Sequence, residues 1–374
     1  MIVKLGSLIS EYSVRNKADE DIPVYSVTNE QGFCTGYFSK EVASQDRTTY
    51  KIVPRGCFAY NPSRINVGSV DVQECEDRVI VSPLYVVFSV DEKLNRRYLL
   101  HYLKSDITLT YIKAYASGSV RDNLKFSILK DFPINLPSAE EQEQIVATLD
   151  GIEHLIALRK EELDSIDELV KSRFIELFGD PKSNPKGYTK KQLGETCKVI
   201  TGNTPSRAVA EYYGDHIEWI KTDNIVSGLL NPTTATECLS EKGMTVSRTV
   251  ESGAILMACI AGSVSSIGRV CVTNRKVAFN QQINAIVPYD YNILFLYAML
   301  QISKEYLVDG INMALKGILS KSKLEEKTFF VPPIELQEQF AAFVEQTDKS
   351  KLAVQKALEE LEILKKSLMQ QYFG

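Results

Sequence analysis

The stretch LPSAEEQEQIVATLDGIEHLIALRKEELDSIDELVKSRFIELFG, Leu136 to Gly179, occurs twice in this chain of 374 residues. Shifted by 195 positions it falls without a gap on Val331 to Gly374, VPPIELQEQFAAFVEQTDKSKLAVQKALEELEILKKSLMQQYFG. Matched pairs run along the whole length, among them Pro137/Pro332, Glu140/Glu335, Gln142/Gln337, Ala147/Ala342, Leu163/Leu358, Lys171/Lys366 and Phe178/Phe373. Just upstream, Leu124 pairs with Leu319 and Leu129 with Leu324 at the same offset. A repeat of this kind decides the architecture before any local reading.

Each copy reads as one long helix. A Pro near the start, acidic residues in the first turn and a Gly past the end are start and stop signals. Apolar residues step by threes and fours through Ile145, Leu149, Ile152, Ile156, Leu163, Ile166, Val170 and Leu177, with Arg159 and Arg173 at inner positions. The second seam runs through Phe340, Val344, Val354, Leu358, Leu361, Leu368 and Tyr372, interrupted by Thr347, Lys351 and Lys365. A seam this narrow wants a partner helix, and charges within it fix register at a cost in stability. At 1.5 Å per residue each copy makes a rod of about 60 Å.

Connectivity supplies the direction. The first helix leaves one domain and delivers the chain into a second; the second helix starts where that second domain ends. For a compact domain with neighbouring termini, the second helix runs back along the first. The expected fold class is therefore α+β. Two mixed α/β domains, 1–135 and 180–330, are separated by two long antiparallel coiled-coil helices, 136–179 and 331–374, with pseudo-two-fold symmetry.

The composition is that of an ordinary globular chain, 44% hydrophobic and 24% charged. The N-terminus lacks the apolar core of a signal peptide, and no apolar run approaches the ~20 residues of a membrane span. Seven dispersed cysteines with no CxxC pair fit free thiols in a reducing cytoplasm. Three histidines, His101, His154 and His216, are too few for a histidine-rich metal site. The net charge of −5 is unevenly spread. Residues 136–179 hold eleven acidic against four basic side chains and 331–374 seven against five, so the acidity lies in the helices and the domains are mildly basic. Such domains permit phosphate contact without requiring it.

The first domain opens on a helical reading and continues with short strands in IPVYSVT, GFCTGYF and RVIVSPLYVVFSV. Between them, YNPSRINVGS is a turn-rich loop carrying Asn61, Arg64 and Asn66. NRRYLLHYLKSDITLTYIKAYAS reads as helix, followed by a Gly turn at Gly118. The second domain has a Gly/Pro/Ser-rich loop with Arg207, a polar turn at Lys221, a loop ending at Arg269 and the cluster Asn280-Gln281-Gln282. Trp219 reads as core. Arg suits guanine edges, Asn and Gln suit adenine edges, and Lys usually positions through phosphate. Asn61, Arg64, Asn66, Arg207, Lys221, Arg269, Gln281 and Gln282 are accordingly the DNA-contact candidates. Each is equally at home in an ordinary structural loop, since Asn and Gly are turn formers in any case.

Signals for chemistry are absent. There is no GxxxxGK phosphate loop, no GxGxxG and no nucleophile triad. Asn61-Pro62-Ser63 shares only its first two residues with the Asn-Pro-Pro-aromatic motif of methyltransferases. Asp309 with Glu325-Glu326-Lys327 mimics the acidic–Lys set of a metal nuclease but sits on a basic turn. No catalytic and no metal-ligating residue is assigned.

The duplicated start LPSAEEQEQI / VPPIELQEQF, each copy closing in FG, resembles the repeats of the DNA-specificity subunit of type I restriction-modification enzymes. YNPSRINVGS and GSVSSIGRV…NQQINAI are similar to that family's variable target-recognition domains. The resemblance spans essentially the whole chain. It implies a non-catalytic cytoplasmic subunit in which each domain reads one half of a bipartite double-stranded DNA target and the helices set the gap. It implies two modification subunits as partners, carrying S-adenosylmethionine, and restriction subunits using ATP and Mg. No cofactor is expected on this chain itself. The competing reading is a protein–protein scaffold, two domains held apart by a coiled coil. A self-sufficient nuclease or methyltransferase is a third, opposed by the missing motifs.

Overall fold

The structure is a computed structural model that describes residues 1–36, 47–116, 123–311 and 317–374. The Gly turn at Gly118 lies outside the described residues. The chain forms two compact units, 1–159 with 357–374, and 160–356. Two forty-residue helices, Ala139–Phe178 and Ile334–Phe373, correspond to the two copies of the repeat. Each unit holds part of both.

Within the first unit, the start of the first long helix lies against the end of the second. Ile145, Val146 and Leu149 share a core with Leu368, Met369, Tyr372 and Phe373, and Lys365 pairs with Glu153 at 2.7 Å. Within the second unit the roles reverse. Phe178 meets Phe340 edge-on at 5.7 Å, and Lys351 pairs with Asp167. Asp167 is eleven residues before Phe178 and Lys351 eleven after Phe340. Matched steps in opposite directions make the two segments antiparallel. Two lysines read as interruptions of the seam thus carry its cross-helix ion pairs.

Both units are built on one plan. In the first, the strands Ile9–Glu11, Val86–Val90, Phe58–Tyr60 and Val70–Val72 form an antiparallel sheet in that order. In the second, Cys197–Thr201, Ile283–Pro288, Ile255–Ala258 and Val270–Val272 repeat the order and the sense. A two-stranded ribbon precedes each long helix: Ile2–Lys4 with Pro133–Asn135, and Lys190–Gln192 with Thr328–Phe330. The helical reading of the N-terminus is therefore corrected. Ile2 and Val3 are spent on a ribbon whose partner strand leads into the long helix, and only Leu5–Ser7 makes a 3₁₀ turn. The long helical reading around Lys104 is also divided, into Arg96–Lys104 and Asp106–Ala116. Ser105 adopts extended backbone between them, and its hydroxyl accepts from the Thr108 amide.

A buried glutamine ties each long helix to its domain. Gln142 is buried. Its Oε1 accepts from the Asn95 amide at 2.7 Å, and its Nε2 donates to the carbonyls of Lys93 and Pro137 at 3.0 and 3.1 Å. Asn95 in turn caps Arg96–Lys104, accepting from the Arg97 and Tyr98 amides. Gln337, 195 positions on, is fully buried and accepts from the Asn292 amide at 2.9 Å while donating to the Pro332 carbonyl at 2.8 Å. Asn292 caps the helix Ile293–Ile302 in the same way. The residue three past each cap, Tyr98 or Phe295, packs on the last aromatic of a long helix, Phe373 at 5.1 Å or Phe178 at 4.8 Å.

This clamp predicts a large penalty for a near-isosteric substitution. Gln337→Met leaves the Asn292 amide and the Pro332 carbonyl without these partners in a dry site, so a loss of about 2–4 kcal/mol is expected. Glu338→Gln, on the exposed face next door, should stay within about 0.5 kcal/mol. Urea denaturation followed by circular dichroism compares the two; equal midpoints would refute the clamp.

Candidate nucleic-acid interface

The eight candidate residues fall on matching parts of the two units. Asn61, Arg64 and Asn66 occupy the connection between the strands Phe58–Tyr60 and Val70–Val72. The Asn61 Oδ1 accepts from the Ser63 amide at 3.1 Å, a side-chain turn that spends its acceptor locally. Arg64 is exposed and, with Asn29, Gln31 and Ser69, lines a hollow of about 180 Å³. Gly68, at φ +92°, closes this loop, and a Cβ there would lie 2.6 Å from the Asn29 Oδ1. Only glycine satisfies both the backbone and the approach.

In the second unit the loop after Thr201 is bonded to two neighbouring, paired strands. The Asn203 amide donates to the Phe279 carbonyl, and the Trp219 indole donates to the Asn203 carbonyl at 3.3 Å. Gly202 makes this possible: a Cβ would meet the Phe279 and Asn280 carbonyls at 2.4 and 2.2 Å. This placement brings Arg207, Lys221 and Gln281 to one edge. The guanidinium of Arg207 lies 4.5 Å from the Tyr213 ring centre and 5.3 Å from Trp219, and the Lys221 ammonium is also 5.3 Å from Trp219. One carboxylate, Glu237, holds both cations at 2.8 Å. The Arg207 hydrogen bond, then that of Lys221, keeps the Glu237 carboxyl below the usual carboxylate range. Trp219 is buried, as expected.

The other candidates are tied to backbone or to neighbouring side chains. Arg269 donates to the carbonyls of Ser266 and Thr222, both at 3.3 Å, bracing the turn that follows Lys221. Gln281 accepts from the Thr204 hydroxyl, and Gln282 accepts from the Asn280 amide group at 3.2 Å. Sequence reasoning missed Glu237, Tyr213 and Gly202 as parts of this edge. Glu237 and Tyr213 become neighbours of Arg207 only through strand pairing, so no local signal marks them. Gly202 at the head of a Gly/Pro/Ser loop was the one readable sign.

Among the described residues, one group has metal-like spacing: His101, Asp150 and Glu153 offer ligand atoms within 4.8 Å of one another. Both carboxylates already face cations, Arg97 at 2.6 Å from Asp150 and Lys365 at 2.7 Å from Glu153. His101 Nε2 lies 2.8 Å from Asp150. Burial pushes Asp150 up, but the hydrogen bonds from Arg97 and His101 outweigh it and leave its carboxyl below the ordinary value. The group is a charge network joining a domain helix to both long helices. Lys327, of the nuclease-like set, donates to the Tyr306 carbonyl at 2.7 Å and lies 4.3 Å from the centre of that ring. No helix among the described residues is long and apolar enough to cross a membrane.

Comparison with known proteins agrees with this duplicated plan. The specificity subunit of the type I restriction enzyme MjaIX of Methanocaldococcus jannaschii is 24% identical over 294 residues, covering 73% of this chain and 67% of that protein. A chain from a structure on complex assembly and conformational transition of the type I R-M system aligns over all of this chain and 97% of its own, with TM-score 0.59 and 18% identity. The S subunit of a type I restriction-modification system from M. genitalium aligns over all of this chain and 96% of its own, with TM-score 0.57 and 15% identity. The model of the type I restriction modification DNA specificity domain matches residues 6–168 and again 185–363. With that match covering most of both halves, the chain belongs to the type I restriction modification DNA specificity family.

Proposed function

We propose that this chain is the DNA-recognition subunit of a type I restriction-modification complex and performs no chemistry of its own. The observation that carries this reading is one frame built twice with two unlike sets of loops. The sheet order and the glutamine clamp are the same in both units, while the edge carrying Asn61, Arg64 and Asn66 shares no side-chain pattern with the edge carrying Arg207, Lys221, Arg269, Gln281 and Gln282. Two different readers on equal mounts suit a target whose halves differ. In this reading residues 1–135 and 180–330 are target-recognition domains, and 136–179 and 331–374 are the spacers that set the gap. Two modification subunits with S-adenosylmethionine, and restriction subunits using ATP and Mg, supply methylation and cleavage. The seven free thiols suit work in the cytoplasm.

Arg207, exposed, and Lys221, half-buried, are cations prealigned on aromatic faces, the arrangement expected of groups that reach for phosphate or a base edge. Glu237 occupies them in the free protein as a phosphate would. DNA must displace this carboxylate, which weakens contact with any sequence and leaves net binding to those that return more.

Three outcomes test the reading. Exchanging residues 1–135 for those of a relative should change one half of the methylated sequence in cells carrying the partner genes; change in both halves or in neither refutes the modular reading. Inserting a helical turn at matched places in both long helices should alter the gap and leave the half-sites intact, as mapped by methylated adenines. Glu237→Gln should tighten binding to unrelated duplexes by about tenfold, the effect of removing one partly exposed competing charge, and so lower discrimination. Unchanged affinity for unrelated DNA would rule out the displacement step.

A further inference from the structure

A cleft of about 570 Å³ opens in the second unit between the two long helices and the Asn292-capped helix. The first unit explains why it is open. There Arg97 and His101, two and six residues past Asn95, converge with Lys365 on the carboxylates of Asp150 and Glu153. Two and six residues past Asn292 stand Leu294 and Ala298, and Val170 stands 195 positions before Lys365. Counted from the clamp glutamines, Asp348 takes the place of Glu153. The second unit keeps the carboxylate and has a methyl group and an isopropyl group where the first has an imidazole and an ammonium.

Asp348 is half-buried and lines the cleft, and among the described residues it has no hydrogen bond or ion pair. The lysines beside it are committed elsewhere. Lys351 pairs with Asp167, Lys171 with Glu168 at 3.5 Å, and Lys304 donates to the Ser265 carbonyl at 2.5 Å. Burial holds the Asp348 carboxyl above the usual range, with Lys351 opposing. A desolvated carboxylate without a partner is costly. Here it faces walls of Val170, Tyr297 and Val344.

We propose that this cleft binds a ligand carrying a guanidinium or ammonium group on an apolar stem, its cation paired with Asp348 in the place that His101 and Lys365 fill in the first unit. The apolar walls take the stem, and the bidentate geometry of guanidinium with carboxylate favours that head group. The source is either a free alkyl amine or guanidine, or an arginine or lysine side chain of a bound protein.

Titration of the full chain, free of DNA, with n-butylguanidinium and with the blocked tripeptide acetyl-Ala-Arg-Ala-amide tests this by calorimetry. Saturable one-to-one binding is expected, weakened about tenfold or more by Asp348→Asn and by Ala298→His, which restores the imidazole of the first unit. Glu338→Gln, which removes an exposed charge from the same helix, should leave it unchanged. Tighter binding of the peptide assigns the site to a protein side chain, and tighter binding of n-butylguanidinium to a free small molecule; either supports the site. A carboxyl that titrates above its unfolded value costs stability when charged, so Asp348→Asn should melt at or above the parent at pH 7. That gain should vanish below about pH 4, where Asp is protonated in both states. The proposal fails if neither probe binds saturably at millimolar concentration, or if Asp348→Asn binds as the parent does.

Discussion

A single buried amide, used twice, holds this protein together. Gln142 and Gln337 each accept the amide of the residue that caps a domain helix and each donate to the proline carbonyl at the start of their own long helix. A long helix with a narrow apolar seam has little to hold it at a fixed angle to a globular domain. The clamp supplies direction as well as energy, since three groups must meet at hydrogen-bond length together. Its strength comes from what failure would leave behind, a buried amide without a partner. Around it the aromatic anchors Phe373 and Phe178 add area and tilt. Their counterparts Tyr98 and Phe295 lie three residues past the caps that the glutamines hold.

With the frame so fixed, the loop edges are free to differ. Strands of equal order carry YNPSRINVGS in one unit and the longer run from Cys259 to Arg269 in the other. The close approaches that shape these edges rest on Gly68 and Gly202, where a side chain would strike an Asn oxygen or two carbonyls. Between such points polar side chains satisfy one another: Gln281 with Thr204, Arg269 with backbone, Arg207 and Lys221 with Glu237. Most of these contacts are exposed, so each is worth little to stability. They order the side chains without locking them, as a surface that must exchange partners requires.

The long helices, their antiparallel sense and the α+β class were legible because a gapless repeat of forty-four residues leaves few alternatives. The helical periodicity also marked the buried positions Leu149, Ile152, Phe340 and Val344. The N-terminus was misread because three residues of strand carry no period of their own; their state is decided by Pro133–Asn135, far along the chain. The clamp glutamines were visible as matched pairs, yet a Gln on a charged helix reads as solvated until the Asn caps are seen beside it. The loop residues were legible by type and not by partner. Glu237, which holds two of them, stands just before the strand Cys238–Leu239, and pairing between strands is not written in either one alone.

The charges in the seam complete the account. Lys365 with Glu153, and Lys351 with Asp167, are pairs whose carboxylates stay in contact with water, and they contribute little net stability where they stand. Their effect appears when the helices slip. A displacement of one turn would set each ammonium beside apolar seam residues and leave each carboxylate facing none, turning two near-neutral contacts into two unpaired charges. An all-apolar seam would tolerate such a slip, because leucine against isoleucine differs little from leucine against valine. Charged seam positions therefore contribute to register what they withhold from stability.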